Sequence, residues 1–331
     1  QHGPGSEGCW VILDQQGKCN KNEYFWFSPG VPAVHEHARK VAVDLCKRYD
    51  LDGIHLDRIR YPSAEDYNPT AVARFNVSGN PMGLDRLNWQ LAEMNRMVAN
   101  LSSAVWAIKP EMKMTAAVWG IYDKTKIPGY GGFSTGLQQY CQDSLAWARL
   151  GLVDALCPMI YWDLPDPKPN YDECLKQFLE GRGNRHVYGG FHAKFEPAEI
   201  MAQIEATRKL GGQGTVAFST TSVSKAPRWE YFRTQIYPAK VKTPEMTWKT
   251  KPTEGSIVGY VKRSTDEPVV DAYVTIEGQD GGVLSCADGY FSFLWLKPGK
   301  YTVTARIGGR QAKVADLEVK AGEFAVANLT I

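Results

Sequence analysis

The segment with the clearest potential for chemistry is Asp52-Gly-Ile-His-Leu-Asp-Arg-Ile-Arg-Tyr-Pro62. Its first half has the apolar alternation of a β-strand, in which successive side chains point to opposite faces. Ile54 and Leu56 are therefore expected on one face, and His55 and Asp57 on the other. A carboxyl group at the C-terminal end of a parallel strand is well placed to exchange a proton with a substrate. We predict that Asp57 is a general acid; the alternative is a structural ion pair with a nearby arginine.

Three other predicted strand ends carry residues suited to binding a sugar. Trp119, Tyr161 and His192 lie at or near these ends, and aromatic faces stack on the apolar faces of pyranose rings. Asp163 follows Tyr161 at strand parity and is the predicted second catalytic carboxylate. Glycoside hydrolysis needs two carboxyl groups, which lie about 5 Å apart in retaining enzymes and roughly 6.5–9.5 Å apart in inverting enzymes.

Four residues of the first segment are predicted to contact substrate: His55, Arg58, Arg60 and Tyr61. His55 is also expected to orient Asp57. Arg58 and Arg60 suit an anionic glycan because a guanidinium group binds a carboxylate with two hydrogen bonds, although surface ion pairing explains them equally well. Tyr61 completes this set of substrate contacts. We expect no metal and no cofactor: the His and Cys residues lack zinc-ligand spacing, and no Gly-x-Gly-x-x-Gly motif follows a strand.

Composition narrows the class of protein. The chain has 331 residues, 44% of them hydrophobic, which is enough for about two domains. A net charge of +2 gives no basic footprint for nucleic acid, and no window has the roughly 18 apolar residues that a membrane span needs. The 10 Trp, 16 Tyr and 12 Phe exclude a disordered chain. Among seven cysteines, Cys9 and Cys19 flank a short turn and could form a disulfide in an oxidising compartment.

Short apolar strands alternate with helices over the first part of the chain, which predicts a parallel sheet. This pattern favours a (β/α)8 TIM-barrel fold over an open doubly wound sheet. The predicted strands are 53–59, 112–119, 153–161, 186–191 and 214–219. The predicted helices are 31–49, 84–108, 137–150, 171–179, 197–210 and 228–236, the first with a buried stripe of Val34, Ala38, Val41, Ala42 and Leu45.

The sequence divides into three parts. Residues 1–242 are predicted to form the barrel portion, 243–254 a polar linker, and 255–331 an antiparallel β-sandwich. Period-two alternation in the last part predicts a separate core of Ile257, Val274, Phe291, Phe293 and Val303.

The first segment resembles the signature of the glycosyl hydrolase-like 10 family. The resemblance includes Ser28-Pro-Gly-Val-Pro-Ala-Val34 as well as residues 52–62. Residues 154–162 are similar to the sixth strand of that family, and residues 214–219 to its eighth. Met159 stands where the family often has Gln.

This resemblance covers about residues 10–237 and implies a barrel protein, exported or lipid-anchored in bacteria, that acts on polysaccharide or peptidoglycan-type glycan. A secreted, extracellular or cell-envelope location is therefore expected. Residues 255–331 resemble the carboxypeptidase regulatory-like, transthyretin-type sandwich, including Asp288-Gly-Tyr-Phe291 and Leu296-Lys-Pro-Gly-Lys-Tyr301.

The number of strands predicts that the barrel in this chain is incomplete. Five strands precede the linker, and the segment that resembles the family's fourth strand already begins at Asp52. The stretches 9–13 and 24–27 offer only short strand candidates. Since a bare sheet edge is rarely tolerated, we expect an upstream fragment or a neighbouring subunit to cover it. Two functions stay open: a secreted glycoside hydrolase, or a non-catalytic glycan-binding or structural surface protein on a barrel scaffold.

Overall fold

The structure is a computed structural model that describes residues 8–19, 24–164, 168–224 and 228–331. The chain forms two compact units. Unit 1 comprises Gln1–Ile54, Tyr61–Lys113 and Thr247–Ile331, and unit 2 comprises His55–Arg60 and Met114–Met246. No helix in the described part of the chain is both long enough and apolar enough to span a bilayer.

A five-stranded parallel sheet runs in the order β1-β2-β3-β4-β5. Its strands are β1 (Gly53–Leu56), β2 (Lys113–Trp119), β3 (Ala155–Met159), β4 (His186–His192) and β5 (Gly214–Phe218). All five predicted strands are therefore confirmed, with ends that differ by a few residues. The sheet is a half-barrel of five strands, as the strand count predicts, and it establishes an α/β fold. A complete TIM barrel has eight strands.

Helices connect the strands. They form because their apolar residues recur at helical spacing, and in five of them a polar side chain caps the first turn. Asp85, for example, accepts a hydrogen bond from the backbone nitrogen of Asn88, 3.0 Å away. The helices are α1 (Pro32–Arg48), α2 (Pro69–Asn76), α3 (Arg86–Trp106), α4 (Gly136–Tyr140), α5 (Ser144–Arg149), α6 (Tyr171–Gly181), α7 (Pro197–Lys209), α8 (Thr220–Val223), α9 (Arg228–Tyr231) and α10 (Thr247–Thr250), with a π-helical turn at Phe232–Ile236.

Two details of the helix prediction are wrong. The helix predicted at 137–150 is split into α4 and α5, because Cys141 adopts a left-handed φ of 46° and ends α4. In α1, Val41 and Leu45 are 46% and 36% exposed. The buried face of α1 instead includes the polar residues His35 and Arg39, which hydrophobic periodicity does not select.

The C-terminal part forms two small sheets around its own core. One sheet has the order β11-β10-β7-β8, and in the other β6 pairs with β9, β12 and β13. Of the predicted core, Ile257, Val274, Phe291 and Val303 are buried and Phe293 packs against them, as expected. The strands are β6 (Gly255–Lys262), β7 (Tyr273–Ile276), β8 (Val283–Leu284), β9 (Tyr290–Leu296), β10 (Gly299–Ile307), β11 (Arg310–Val319), β12 (Phe324–Val326) and β13 (Leu329–Thr330).

Within unit 1, this sandwich packs against α1, α2 and α3 through polar contacts. Arg39 of α1 forms an ion pair with Asp288, and the hydroxyl groups of Ser103 and Tyr290 lie 2.9 Å apart. Arg74 of α2 lies 2.6 Å from Asp271. The sandwich thus has its own core but shares a buried polar interface with the N-terminal helices.

The segments before α1 contribute no strand to the parallel sheet in the described part of the chain. They form isolated antiparallel bridges, Val11 to Phe27 and Leu13 to Cys19. Cys9 and Cys19 lie in the same small apolar cluster, and both are free thiols in this structure.

Candidate functional site

The C-terminal ends of the parallel strands bring together most of the predicted site residues in unit 2. Asp57 follows the last residue of β1, and Trp119 is the last residue of β2. Tyr161 lies two residues beyond β3, while His192 ends β4 and Phe218 ends β5. Because parallel strands end at the same edge of a sheet, these side chains share one rim, where barrel enzymes build their active sites.

Asp57 is exposed and acts on three neighbours through its charge. Its Oδ1 atom accepts a hydrogen bond from the backbone nitrogen of Arg58 at 2.8 Å. Burial lowers the pKa of His55 and of Arg60, and the negative charge of Asp57 opposes that change in part. Burial raises the pKa of Tyr161, and the charge of Asp57 adds to that change. The carboxylate therefore lies close enough to all three side chains to interact with them. Arg58 itself is exposed and adopts a left-handed φ of 53°.

Arg60 lies beside two aromatic rings that contact each other, those of Tyr140 and Trp119. Its guanidinium carbon lies 4.3 Å from the ring centroid of Tyr140 and 5.4 Å from that of Trp119, within the range of cation–π attraction. Partial burial lowers the pKa of Arg60, and Tyr140 and Asp57 oppose that change. The indole of Trp119 is fixed by a 2.8 Å hydrogen bond from its Nε1 to the Ser134 carbonyl. A cation beside an ordered aromatic platform suits recognition of a sugar bearing an acidic group.

A second aromatic cluster lies at the ends of β3, β4 and β5. The rings of Tyr161 and Phe218 stack with centroids 5.2 Å apart, and His192 contacts them at 5.7 Å and 5.6 Å. Burial and the charge of Asp57 raise the pKa of Tyr161, so its phenol is a hydrogen-bond donor at neutral pH. Burial and Lys194 lower the pKa of His192, which favours the neutral imidazole. Phe218 is half-exposed and was not selected from the sequence, although it ends a predicted strand.

His55 contacts Thr115 on the neighbouring strand, and not Asp57 directly. Its Nδ1 atom lies 2.8 Å from Thr115 Oγ1. Partial burial lowers the pKa of His55, and the charge of Asp57 offsets part of the effect. A neutral His55 ring held by Thr115 is suited to making a polar contact beside the Asp57 carboxylate. It is less suited to carrying a proton.

The roles of two predicted site residues stay predictions. Asp163 is exposed, four residues beyond β3, and is the predicted second carboxylate. Tyr61 is 0% exposed, and its predicted contact with substrate likewise stays a prediction.

A buried amide that sequence reasoning missed supports the rim. Gln142 is 0% exposed. Its Oε1 atom accepts a 2.7 Å hydrogen bond from the Trp119 backbone nitrogen, and its Nε2 donates a 3.0 Å hydrogen bond to the Ile59 carbonyl. The amide thereby ties the loop that carries Asp57 and Arg60 to the end of β2. A lone Gln between two short helices gives no sequence signal for this role.

In the part of the chain that the structure describes, no group of three or more His, Cys, Asp or Glu side chains is arranged to hold a metal ion.

Comparison with known proteins agrees with this geometry. The family model described as glycosyl hydrolase-like 10 matches residues 7–197, more than half of the chain. The chain belongs to the glycosyl hydrolase-like 10 family. Residues 256–331 match the carboxypeptidase regulatory-like domain. Both resemblances proposed from the sequence are therefore confirmed, in the expected order.

Curated relatives of this glycosyl hydrolase-like 10 member are distant in sequence. The chain is 23% identical over 245 residues to glycosyl hydrolase YngK of Bacillus subtilis (strain 168), covering 67% of this chain and 48% of the relative. It is 21% identical over 183 residues to glycosyl hydrolase DigH of Escherichia coli (strain K12), covering 53% of this chain and 42% of the relative. The chain thus spans about half the length of the curated relatives that it matches.

Two solved structures share the fold. The glycoside hydrolase domain of PgaB (BpsB) from Bordetella bronchiseptica gives a TM-score of 0.52 at 14% identity, covering 70% of each chain. The catalytic domain of β-amylase from Paenibacillus polymyxa gives 0.50 at 13% identity, covering 70% of this chain and 74% of the other. At these identities the likeness establishes a barrel-like fold and nothing finer.

Proposed function

We propose that this protein is a secreted glycoside hydrolase that cleaves a polysaccharide or peptidoglycan-type glycan by carboxylate acid/base chemistry. The observation that carries the proposal is the position of Asp57 at the strand-end rim, beside Arg60 and two aromatic clusters. Membership of a glycosyl hydrolase-like family supports the reaction class. The sugar and the linkage are left open by this proposal.

Each rim residue has a role in the proposed reaction. Asp57 donates a proton to the glycosidic oxygen as the bond to the anomeric carbon breaks, and Asp163 is the proposed base or nucleophile. Arg58 and Arg60 bind an acidic substituent of the glycan. We assign the remaining contacts with the glycan to the ring faces and polar ring atoms of Trp119, Tyr161, His192 and His55.

The test is release of reducing ends from a panel of purified peptidoglycan, chitin, cellulose and polyuronate. We expect Asp57→Asn to lower the rate about 10²–10⁴-fold, because the amide keeps the shape but cannot donate the proton. Asp52→Asn is the matched control: Asp52 is exposed and precedes the first residue of β1, at the opposite strand end. Equal activity of Asp57→Asn and the unchanged protein would exclude Asp57 as the acid.

One observation favours the alternative of a non-catalytic glycan-binding surface protein. Asp57 and Asp163 are both exposed, whereas hydrolase active sites shield their reacting groups from water. The same panel separates the two functions. A binding protein would retain one of these glycans in a pull-down without releasing reducing ends, and Arg60→Ala would weaken that retention.

We also propose that further polypeptide completes the barrel beside β1. β1 ends the five-stranded sheet, and the apolar side chains of Val41, Leu45 and Leu51 are exposed in unit 1. Unpaired strand edges and contiguous apolar surface are usually covered in native proteins. An upstream fragment of the same precursor or a neighbouring subunit fits this role. Light scattering and intact mass of the natural protein test it, and a 36.9 kDa monomer would contradict it.

A further inference from the structure

The outer face of the sheet formed by β7, β10 and β11 carries a groove that the proposed reaction does not use. It belongs to unit 1, and its volume is about 260 Å³. Side chains in these strands alternate between the sandwich core and this face. The groove is lined by polar side chains: Thr275, Glu277, Thr304, Arg306, Gln311 and Lys313.

Strand register sets these side chains in rows. Thr304 of β10 lies opposite Thr275 of β7 and Lys313 of β11. Arg306 lies opposite Tyr273 on one side and Gln311 on the other. A guanidinium, an amide and an aromatic ring therefore form one row, and two hydroxyl groups and an ammonium form the next.

The hairpin that carries this face has an irregularity in its pairing. The pairing of β10 with β11 shifts register between Tyr301 and Val303, and such bulges bend a strand and increase its twist. Gly308 and Gly309 form the tight turn at the end of the hairpin, with φ of 52° and 77°.

The charges of the groove are incompletely matched. Lys313 lies 3.8 Å from Glu277. Arg306 is exposed and takes part in no ion pair with the residues that the structure describes. On an ordinary solvated sheet face, opposite charges tend to lie across from one another. Here the cross-strand neighbours of Arg306 are neutral, so its guanidinium has its donors available to a ligand.

We propose that this groove binds a carboxylated oligosaccharide, at a site separate from the strand-end rim. A sugar carboxylate accepts two hydrogen bonds from the Arg306 guanidinium, which matches it in geometry and charge. Gln311 and the hydroxyl groups of Thr275 and Thr304 exchange hydrogen bonds with the sugar hydroxyls. The Tyr273 ring, beside Arg306 in the same row, lies against an apolar sugar face. The site thus holds an acidic glycan on the sandwich independently of any cleavage.

Calorimetric titration of the full chain tests the site, with tetragalacturonate as the carboxylated probe and cellotetraose as the neutral one. The background carries Asp57→Asn, so that no hydrolysis occurs, together with Arg58→Ala and Arg60→Ala, so that the rim arginines proposed to bind an acidic glycan do not contribute to the affinity. We expect tetragalacturonate to bind and cellotetraose to bind at least about tenfold more weakly. Arg306→Ala is expected to weaken tetragalacturonate binding at least about tenfold, because charge-assisted hydrogen bonds are lost.

Arg310→Ala is the matched control, because Arg310 is exposed at the start of β11 and lies outside the groove lining. It should change the affinity less than about twofold, and both variants should keep the thermal midpoint of the parent. Equal weakening by both variants would show non-specific charge attraction and overturn the proposal. Unchanged binding in Arg306→Ala would place the probe elsewhere and overturn the proposal. Equal affinity for a 12-nucleotide single-stranded DNA would show general polyanion binding and overturn it as well. The absence of any tetragalacturonate binding would also overturn the proposal.

Discussion

At the residue scale, a buried amide determines how the candidate acid is held. Gln142 accepts a hydrogen bond from the Trp119 backbone and donates one to the Ile59 carbonyl. Ile59 lies two residues after Asp57, and Trp119 flanks Arg60. One side chain therefore links the loop after β1 to the aromatic platform at the end of β2. A residue with this role acts through its neighbours and positions them.

We expect Gln142→Ala to destabilise the protein by about 1–3 kcal/mol, because a buried N–H and a buried C=O lose their partner. Urea unfolding measures the effect. Gln139→Ala in α4 is the control; Gln139 is exposed, and a change there should stay within about 0.5 kcal/mol. If both variants had the same free energy of unfolding as the unchanged protein, the amide would not hold the loop.

Strand parity made part of this site predictable. It placed Trp119, Tyr161 and His192 at one rim because alternation holds within and just after a strand. Parity does not extend past Asp57, because Arg58 takes a left-handed φ of 53° two residues after the end of β1 and breaks the alternation. Tyr140 and Gln142 come from the α4 region, and their approach to β2 depends on packing that local sequence does not encode.

At the element scale, the sandwich is joined to the N-terminal helices of unit 1 by a buried charge network. Arg74 lies 2.7 Å from Glu93 and 2.6 Å from Asp271, and Arg96 lies 2.5 Å from Glu93. Burial alone lowers the pKa of Arg74, but the two carboxylates more than reverse this and raise it. The network is thus charged and desolvated, and each of its charges is paired. Buried charges are tolerated only when they are paired in this way.

Removing one member of the network is expected to be costly. Arg74→Met leaves Glu93 and Asp271 without this cation, and we expect a loss of about 3–5 kcal/mol in the free energy of unfolding. Arg48→Met is the control: Arg48 pairs with Asp44 on the surface of α1, and exposed pairs contribute about 0–1 kcal/mol. Chemical denaturation compares the two. Similar losses in both variants would mean that the network does not hold the sandwich to the helices.

Sequence periodicity predicted the elements well and their contacts poorly. The strands were found because parallel strands buried on both faces read as apolar runs. The interface was missed because Arg39, Arg74 and Glu93 look like solvent-facing positions of amphipathic helices. These side chains are buried because the sandwich packs against the helices. For Arg74, the contacting residue of the sandwich lies more than 170 residues away in the sequence. The apolar stripe predicted for α1 was wrong for the same reason.

At the scale of the whole molecule, stability is expected to depend on a buried histidine in unit 1. His35 is 1% exposed, and its Nε2 atom lies 2.6 Å from the Pro29 carbonyl. Burial is the main cause that lowers its pKa well below the usual value, and Arg96 and Arg74 add to the effect. The Pro29 carbonyl and Asp271 oppose it only in part. His35 is therefore neutral in the folded protein and donates its Nε2 proton to Pro29.

This lowered pKa predicts acid destabilisation. In the unfolded chain His35 binds a proton below about pH 6.5, whereas in the folded chain it does not. The unfolded state thus binds more protons, and the free energy of unfolding falls as pH falls below 6.5, by up to about 1.4 kcal/mol per pH unit. His35→Gln keeps a donor for Pro29 but does not titrate, so the free energy of unfolding should fall less between pH 7 and pH 5 in this variant than in the unchanged protein. Urea unfolding across this range measures the slope. His37→Gln, exposed on the same helix, should leave the slope near that of the unchanged protein, and an unaltered slope in His35→Gln would show that another group drives acid unfolding.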